Sequence, residues 1–185
     1  MRYAATLALG IVHTLEAGDH RLMRRVNRWR PPRWVRLWML YATRCGDGWL
    51  WYPLGFLILA AGGSERVPAL ASGLGATGTG ILIFRWLKRR IGRARPCSMN
   101  EHCWSTLLPP DQFSFPSGHT ITAFAIAGTI GYSYPVLSGG LWFCASSVAV
   151  SRVILGMHFL TDVIVGAAMG SFLAIVAVQA TRMLA

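Results

Sequence analysis

Long apolar runs dominate this sequence and limit what the chain can fold into. Several approach the roughly 20 residues that an α-helix needs to cross a bilayer. Their approximate limits are 49–61, 68–87, 117–134, 139–155 and 162–183. The first run extends back to about Leu37 if Gly46-Asp47-Gly48 is a bend rather than a break. The sequence therefore predicts an all-α integral-membrane bundle of about five to six transmembrane helices.

The composition agrees with this fold class. With 54% hydrophobic and 14% charged residues, the chain is too apolar for an ordinary soluble domain. We expect a single membrane domain over 1–185, with 1–45 as an interfacial or short-span region and 46–185 as the helical core. The formal net charge of +11 could suggest a nucleic-acid partner. The basic residues lie beside apolar runs and tryptophans, however, which favours the membrane as partner and no nucleic acid.

The N-terminal region differs from the rest of the chain. The apolar run 3–15 is too short to span a bilayer, and Glu16 and Asp19 close it off. This run predicts an interfacial helix or a short span. The stretch 21–44 alternates arginines with tryptophans, which is typical of a segment lying on the membrane surface.

Spans of alternating direction should bring the unusual polar residues to one membrane face. If the second long run ends at Lys88 on one side, the next run begins on that side at Ser117. The hairpin that follows returns the chain to the same side at 152–162. Charged groups are costly within a bilayer, so their collection at one face predicts a functional site.

The stretch 151–162 places a cation, an imidazole and a carboxylate between two apolar runs. His158 and Asp162 are four residues apart, so on a helical turn the carboxylate can hold one ring nitrogen and leave the other free to act. This layout is typical of an oriented base or nucleophile. Arg152 suits a doubly charged oxyanion such as phosphate. Alternatively, Asp162 caps a helix, His158 lies at the interface and Arg152 anchors a helix end; this stretch alone does not separate the two interpretations.

Two further segments carry candidate ligands for an anion. Lys88 and Arg95 are seven residues apart, hence on one face if the helix continues that far. Ser117 and Gly118 open a helix whose first turn offers a hydroxyl, free N–H groups and the positive end of the helix dipole. His119 in that turn could protonate a leaving oxygen. Taken singly, the first segment is more typical of a membrane-edge anchor, and the second of a capped helix with a surface histidine.

Together, the three segments resemble the complete signature of the type 2 phosphatidic acid phosphatase family. The matching positions are Lys88, Arg95-Pro96, Pro116-Ser117-Gly118-His119, Ser151-Arg152, His158 and Asp162, in the family's order and spacing. The resemblance covers the chain from about Arg21 to the C-terminus. Three spaced motifs in order are far more specific than any one alone, so the resemblance favours a functional site over the structural alternatives.

The resemblance implies hydrolysis of a lipid phosphate through a phosphohistidine, with no cofactor and no metal ion. On the matching positions, His158 would be the nucleophile, Asp162 would orient it and His119 would protonate the leaving alkoxide. The phosphoryl oxygens would be held by Lys88, Arg95, Ser117, the backbone amide of Gly118 and Arg152. Fixed positive charge around a neutral imidazole agrees with the demands of phosphoryl transfer. Asp162 is the only acidic residue after Asp111, so this half of the sequence offers no carboxylate cluster for magnesium.

The signature leaves several functions open. The leading one is a membrane phosphatase acting on phosphatidate, phosphatidylglycerophosphate, a polyprenyl diphosphate or a lipid A-type glycolipid, with the loop 97–113 selecting the head group. A phosphotransferase of the same family would differ only in its acceptor. A transporter could use His158 and Asp162 as a proton relay, although charges at span ends rather than at mid-membrane disfavour it. Vanadate-dependent haloperoxidases share the signature, but they are expected to be larger, soluble chains.

Two signals oppose each other on topology. Many family members have a further N-terminal span, for which 3–15 is short. If 3–15 does not cross, the arginines of 21–44 lie on the active-site face, and the positive-inside rule places that face in the cytoplasm. The resemblance and a possible Cys97–Cys103 disulfide favour the periplasm. We expect a multi-pass protein of the bacterial inner membrane with a periplasmic active site, because arginines retained for phosphate should not count in full as topology signals.

Overall fold

The computed structural model describes residues 2–99 and 112–184, with side chains described for 14–98 and 112–184. The helices of these ranges are α1 (Arg2–Arg28), α2 (Arg33–Arg44), α3 (Trp51–Ala61), α4 (Arg66–Ile91), α5 (Pro96–Met99), α6 (Gly118–Ser133), α7 (Pro135–Ile154) and α8 (Leu160–Leu184). Within the same ranges, an isolated β-bridge pairs Ala94 with Phe113 and no strand forms. The described part of the chain is therefore all-α, as predicted.

Three of the described helical segments are long and apolar enough to cross a membrane. They are Gly63–Ile91, which joins a short 3₁₀ turn to α4, Pro135–Ile154 and Leu160–Leu184. Helix α3 is also apolar but shorter. Helix α6 has 16 residues, which corresponds to about 24 Å of helix. The prediction of a helical membrane bundle is confirmed, and the chain is a membrane protein.

Helix α6 lies at the centre of the bundle and packs against α4, α7 and α8. Close approach to α8 depends on Gly170, where an added Cβ would collide with the backbone oxygen of Ile121. At the other end of this contact, the amide of Ser117 donates to the backbone oxygen of Asp162 at 3.2 Å. The first turns of α6 and α8 therefore lie together at one end of the bundle, where the polar residues were expected.

One predicted boundary is wrong, and one condition named in the sequence analysis is not met. Helix α1 does not end near Glu16 and Asp19 but continues through them, because the Asp19 carboxylate is buried and paired instead of facing water. Helix α4 ends before Gly92, whose φ of 63° is left-handed and whose amide donates to the oxygen of Lys88 at 3.0 Å. Arg95 therefore does not share a helix face with Lys88. It lies on a loop that folds back toward the end of α4.

The chain kinks between α2 and α3 through a π-helical turn at Cys45–Trp49. Gly48 has a φ of 111°, a left-handed value that glycine adopts at little cost. The Gly46-Asp47-Gly48 sequence therefore interrupts the helix, and the first apolar run is divided between two elements. As described below, the same turn brings Asp47 against α6.

Candidate active site

One cavity of about 700 Å³ collects residues from all three predicted segments. The predicted site residues that line it are Lys88, Arg95, Gly118, His119 and His158. Arg85, about one helical turn before Lys88, and Arg89, the residue after it, line the cavity as well and add positive charge that the sequence analysis did not assign. A cavity with this lining suits a phosphate-sized anion next to two imidazoles.

The orientation of the His158 ring follows from its neighbours. The side chain is 1% exposed, and its Nε2 lies 3.2 Å from Nη1 of Arg95. A guanidinium can only donate, so Nε2 is the unprotonated nitrogen and Nδ1 carries the hydrogen. Nδ1 faces Oδ2 of Asp162 at 3.6 Å, slightly beyond hydrogen-bond length. The ring therefore directs a lone pair toward Arg95 and the cavity, as a nucleophile requires.

A tight turn after α7 places His158 at the cavity. Gly156 adopts a left-handed φ of 70°, and the amides of Met157 and His158 both donate to the oxygen of Arg152, at 3.0 and 3.1 Å. Arg95 donates from Nη1 to the oxygen of Met157 at 2.8 Å. The same guanidinium thus holds both the turn and the histidine that the turn presents.

Burial and positive charge keep the His158 ring neutral. Its pKa lies well below the ordinary histidine value, first because the ring is buried and then because Arg152, Arg95 and Lys88 are close. A neutral imidazole retains the lone pair that attack on phosphorus needs. The cations that would bind a phosphate therefore also keep this base unprotonated.

Asp162 is held by Arg93, a residue that the sequence analysis missed. Arg93 donates from Nη1 to Oδ1 of Asp162 at 2.6 Å and from Nη2 to Oδ2 of Asp19 at 2.7 Å. The amide of Phe159 donates to the other oxygen of Asp162 at 2.8 Å. Asp19 also accepts from the amide of Thr161 at 3.2 Å, so α1 is bound to the first turn of α8. Asp162 is thereby fixed from two sides, and Oδ2, which accepts from Phe159, also faces the histidine.

Arg93 is charged under all ordinary conditions. Burial by itself would lower its pKa, but the hydrogen bonds and charges of Asp19 and Asp162 outweigh burial and raise the pKa overall. The sequence held a signal for this group, since Arg93 lies between Lys88 and Arg95 and Asp19 is one of two carboxylates in α1. Nothing local in the sequence, however, indicated that α1 and the loop would meet.

His119 has a carboxylate partner of its own. Its Nε2 lies 2.6 Å from Oδ1 of Asp47, and the histidine side chain is 19% exposed. His119 stands in the first turn of α6, where Gly118 packs against the Phe84 ring. The sequence analysis treated Asp47 only as part of a bend. The structure shows that this bend positions a carboxylate on the second imidazole of the cavity.

Two predicted phosphate ligands, Ser117 and Arg152, are not among the residues that line the cavity. Ser117 is fully buried at the N-cap of α6, where its Oγ accepts from Thr120 Oγ1 at 2.9 Å. Arg152 is 3% exposed and donates to Oγ1 of Thr43 at 2.5 Å. The positive charge of Arg152 lowers the pKa of His158. Direct contact of Ser117 or Arg152 with phosphate stays a prediction.

Other expectations fall partly outside the described residues. Cys103 and most of the loop 97–113 are not described, so the disulfide and the head-group selection stay predictions. Among the side chains that are described, no group of three or more histidines, cysteines or carboxylates is arranged to hold a metal ion.

Comparisons with known proteins agree with this geometry. A family model described as PAP2 superfamily matches residues 69–184. The structure is similar to that of LpxE from Aquifex aeolicus, with a TM-score of 0.73, 26% identity, and coverage of 86% of this chain and 93% of that one. It is also similar to the transmembrane PAP2-type phosphatidylglycerolphosphate phosphatase from Bacillus subtilis, with a TM-score of 0.71, 26% identity, and coverage of 93% and 88%.

A similar sequence is the lipid A 1-phosphatase of Rhizobium johnstonii, 34% identical over 95 residues. The match covers 49% of this chain and 39% of the relative. The chain thus spans about two fifths of the length of that curated relative.

Proposed function

Because this chain belongs to the PAP2 superfamily, we propose that it hydrolyses a phosphomonoester or diphosphate of a membrane lipid through a phosphohistidine, without a metal ion. The observation that carries the proposal is the common cavity of His119, His158, Lys88 and Arg95. Two imidazoles, one with its Nε2 lone pair free of hydrogen, provide an acid and a nucleophile within one cationic pocket.

The reaction follows from these positions. The lone pair of His158 Nε2 forms a bond to phosphorus while the phosphorus–oxygen ester bond breaks, and the departing alkoxide takes a proton from His119. Asp162 stabilises the positive charge that develops on the attacking ring. A water then attacks phosphorus and gives a proton to His119, the nitrogen–phosphorus bond breaks, and phosphate is released with both histidines restored.

Positive charge and N–H donors would stabilise the phosphoryl group in this reaction. In the proposed roles, Lys88, Arg95, Ser117, the backbone amide of Gly118 and Arg152 hold its oxygens. Arg95 lies against Nε2 in the present structure and would exchange this contact for a phosphoryl oxygen. Its departure would expose the lone pair just where the phosphorus arrives.

An apolar groove beside the cavity favours a lipid as substrate. The groove has a volume of about 340 Å³ and lies between α3, α4 and α6. It shares Gly46, Asp47, Ile81 and Thr122 with the catalytic cavity. A phosphate in the cavity could therefore keep an attached hydrocarbon chain in the groove. The candidates remain phosphatidate, phosphatidylglycerophosphate, a polyprenyl diphosphate or a lipid A-type glycolipid.

Filling this groove should penalise lipids selectively. Gly55 lines the groove, and no atom lies within 4 Å of a Cβ built there, so the side chain of Gly55→Leu starts in open space and adds bulk to the groove. We expect the ratio of kcat/KM for phosphatidate to that for p-nitrophenyl phosphate to fall about tenfold. Gly75→Leu is the matched control, because Gly75 also has open space around it but does not line the groove. Equal ratios in the two variants would contradict the proposed position of the lipid chain.

Loss of the Asp47 carboxylate should impair protonation of the leaving group. Asp47→Asn removes the negative charge that lies 2.6 Å from Nε2 of His119 and favours its protonated form, so we expect kcat for a lipid phosphate to fall about 10-fold to 100-fold. p-Nitrophenolate leaves without protonation, so p-nitrophenyl phosphate should be affected far less. Steady-state kinetics on both substrates measure the difference. Equal losses on the two substrates would show that Asp47 does not act through an acid at His119.

Release of inorganic phosphate by purified protein in detergent tests the proposed function. We expect release from at least one lipid phosphate with excess EDTA present and with no acceptor lipid added. Loss of phosphate from the donor lipid only when an acceptor is added, with a phosphorylated acceptor as product and no inorganic phosphate, would indicate a phosphotransferase. No release from a panel of phospholipids and polyprenyl diphosphates would favour the transporter, and release abolished by EDTA would contradict the metal-free mechanism.

We also propose that the protein resides in the bacterial inner membrane with this cavity on the periplasmic side. Cys97 immediately follows the Arg95-Pro96 segment, so it reports on the cavity's side of the membrane. A membrane-impermeant maleimide should label Cys97 in reduced, intact spheroplasts of a variant in which the other cysteines are replaced. Labelling that requires lysis would place the cavity in the cytoplasm.

A further inference from the structure

A second cavity, of about 430 Å³, lies beside the catalytic one and plays no part in the reaction described above. One wall is a single face of α1, where His20, Arg24 and Arg28 recur at intervals of four residues. Asn27 on α1 also lines it. No carboxylate is present among the described residues that line this cavity. Its polar wall therefore offers two guanidinium groups, an imidazole and an amide.

The repeated arginines repel each other when no ligand is bound. Arg24 and Arg28 are four residues apart on one helix face, a spacing at which like charges destabilise a helix. An anion between them would convert this repulsion into two charge-assisted contacts, in the forked geometry that guanidinium groups provide for phosphate. The cavity therefore has the charge and the donors of an anion site.

The floor of the cavity is rigid and apolar. Met23 is 5% exposed and Phe159 is 2% exposed, and the His20 ring packs edge-on against Phe159 with centroids 5.0 Å apart. The Asp19 contacts to Arg93 and to the first turn of α8 hold α1 against this floor. Arg24 and Arg28 therefore lie on a helix that is held firmly against the apolar floor of the cavity.

The two cavities are separated by a single layer of residues. Pro96 and Phe159 line the second cavity, and their chain neighbours Arg95 and His158 line the catalytic one. Consecutive Cα atoms are about 3.8 Å apart, so the walls of the two cavities adjoin at these two positions. A head group with two phosphates a few bonds apart matches such a pair of sites.

We propose that this α1 cavity is a second anion-binding site, which takes a second phosphate of the lipid head group while the scissile phosphate occupies the catalytic cavity. The assignment to the head group rests on the proposed phosphatase function, whereas the anion site itself does not. It makes α1 a determinant of substrate choice. Lipids with a second phosphate, as a phosphodiester or a further monoester, should bind better than lipids with one.

The matched pair of variants is Arg24→Gln/Arg28→Gln and Arg21→Gln/Arg25→Gln. All four arginines are exposed residues of α1, so each double variant removes the same charge from the same helix. Only the first pair lines the cavity. If phosphate binding or kcat/KM falls only because the protein attracts anions less strongly overall, both variants should show the fall. If it falls because the cavity has lost its arginines, only Arg24→Gln/Arg28→Gln should show it.

Calorimetric titration of the full-length protein in detergent with inorganic phosphate tests the site. We expect wild type and Arg21→Gln/Arg25→Gln to bind one more phosphate than Arg24→Gln/Arg28→Gln. Identical phosphate binding by the two variants would overturn the site. This measurement remains informative if the protein hydrolyses no lipid, so failure of the site and failure of the proposed function are distinguishable.

Kinetics test the assignment to the head group. With phosphatidylglycerophosphate and phosphatidate of identical acyl chains, the kcat/KM ratio of the first lipid to the second should fall about tenfold in Arg24→Gln/Arg28→Gln, mainly through KM. The ratio should keep its wild-type value in Arg21→Gln/Arg25→Gln. Loss of phosphate binding with an unchanged ratio would overturn the head-group assignment and identify free phosphate as the ligand.

Discussion

Replacing His158 with glutamine is expected to lower phosphate release by about 10⁴-fold or more, because the other described imidazole of the cavity, His119, has its Nε2 on Asp47 and is assigned to proton transfer. Glutamine approximates the size of the imidazole and offers an oxygen to Arg95, which lies 3.2 Å from Nε2. It is therefore preferable to alanine, which would leave a void at a side chain that is 1% exposed. Colorimetric phosphate assays with a lipid phosphate measure the loss, and thermal unfolding shows whether the variant is folded.

Trapping the phosphohistidine intermediate tests more directly whether His158 is the nucleophile. After alkaline quenching of a reaction with ³²P-labelled substrate, label should remain on the wild-type protein and be absent from His158→Gln. In His119→Asn the label should persist longer, because the base that activates water in the second step is missing. Label on a folded His158→Gln protein, or turnover within tenfold of wild type, would show that another residue is the nucleophile.

The acid limb of the pH profile should report the same imidazole. Burial and neighbouring cations hold the His158 pKa well below its ordinary value, so the free base persists as the pH falls through about 6.5. Once corrected for the second ionisation of the substrate phosphate near pH 6, kcat/KM should therefore decline only at lower pH. A corrected acid limb centred above pH 6.5 would contradict a depressed His158 pKa.

The parts of the fold that the sequence predicted depend on local pattern. Apolar runs fixed the approximate positions of α4, α6, α7 and α8, since helix length and hydropathy are properties of continuous segments. The alternation of span directions then placed Lys88, His119 and His158 at one face without any knowledge of the fold. The structure brings all three to one cavity. This inference needed only the order of the spans along the chain.

The parts that the sequence did not predict depend on contacts between distant segments. Seven-residue spacing suggested one helix face for Lys88 and Arg95, but Gly92 ends the helix and Arg95 reaches the cavity from a loop. Acidic residues usually face water, and on that ground the sequence predicts that Asp19 closes an apolar run. Its burial against Arg93 depends on a partner 74 positions away, which no local pattern encodes.

The roles of Asp162 and Asp19 predict different effects for one and the same change of charge. Asp162→Asn removes the carboxylate that faces Nδ1 of His158 at 3.6 Å, so it should lower kcat by about 10²–10⁴-fold. Asp19→Asn leaves that carboxylate in place and removes only one of the two acidic partners of Arg93. It should lower kcat by less than about tenfold while lowering the unfolding temperature, since α1 loses its attachment to α8.

The comparison decides whether Asp162 acts on chemistry or only on folding, because both carboxylates are buried partners of one guanidinium. A purely structural Asp162 would give losses of kcat that follow the losses of thermal stability in the two variants. An orienting Asp162 gives a large loss of kcat with KM nearly unchanged, and the conservative Asp162→Glu variant should recover part of it because the carboxylate returns. If Asp162→Asn is folded and turns over substrate at a near-normal rate, the carboxylate does not orient the nucleophile. His158 would then owe its orientation to Arg95 and to the turn at Gly156 alone.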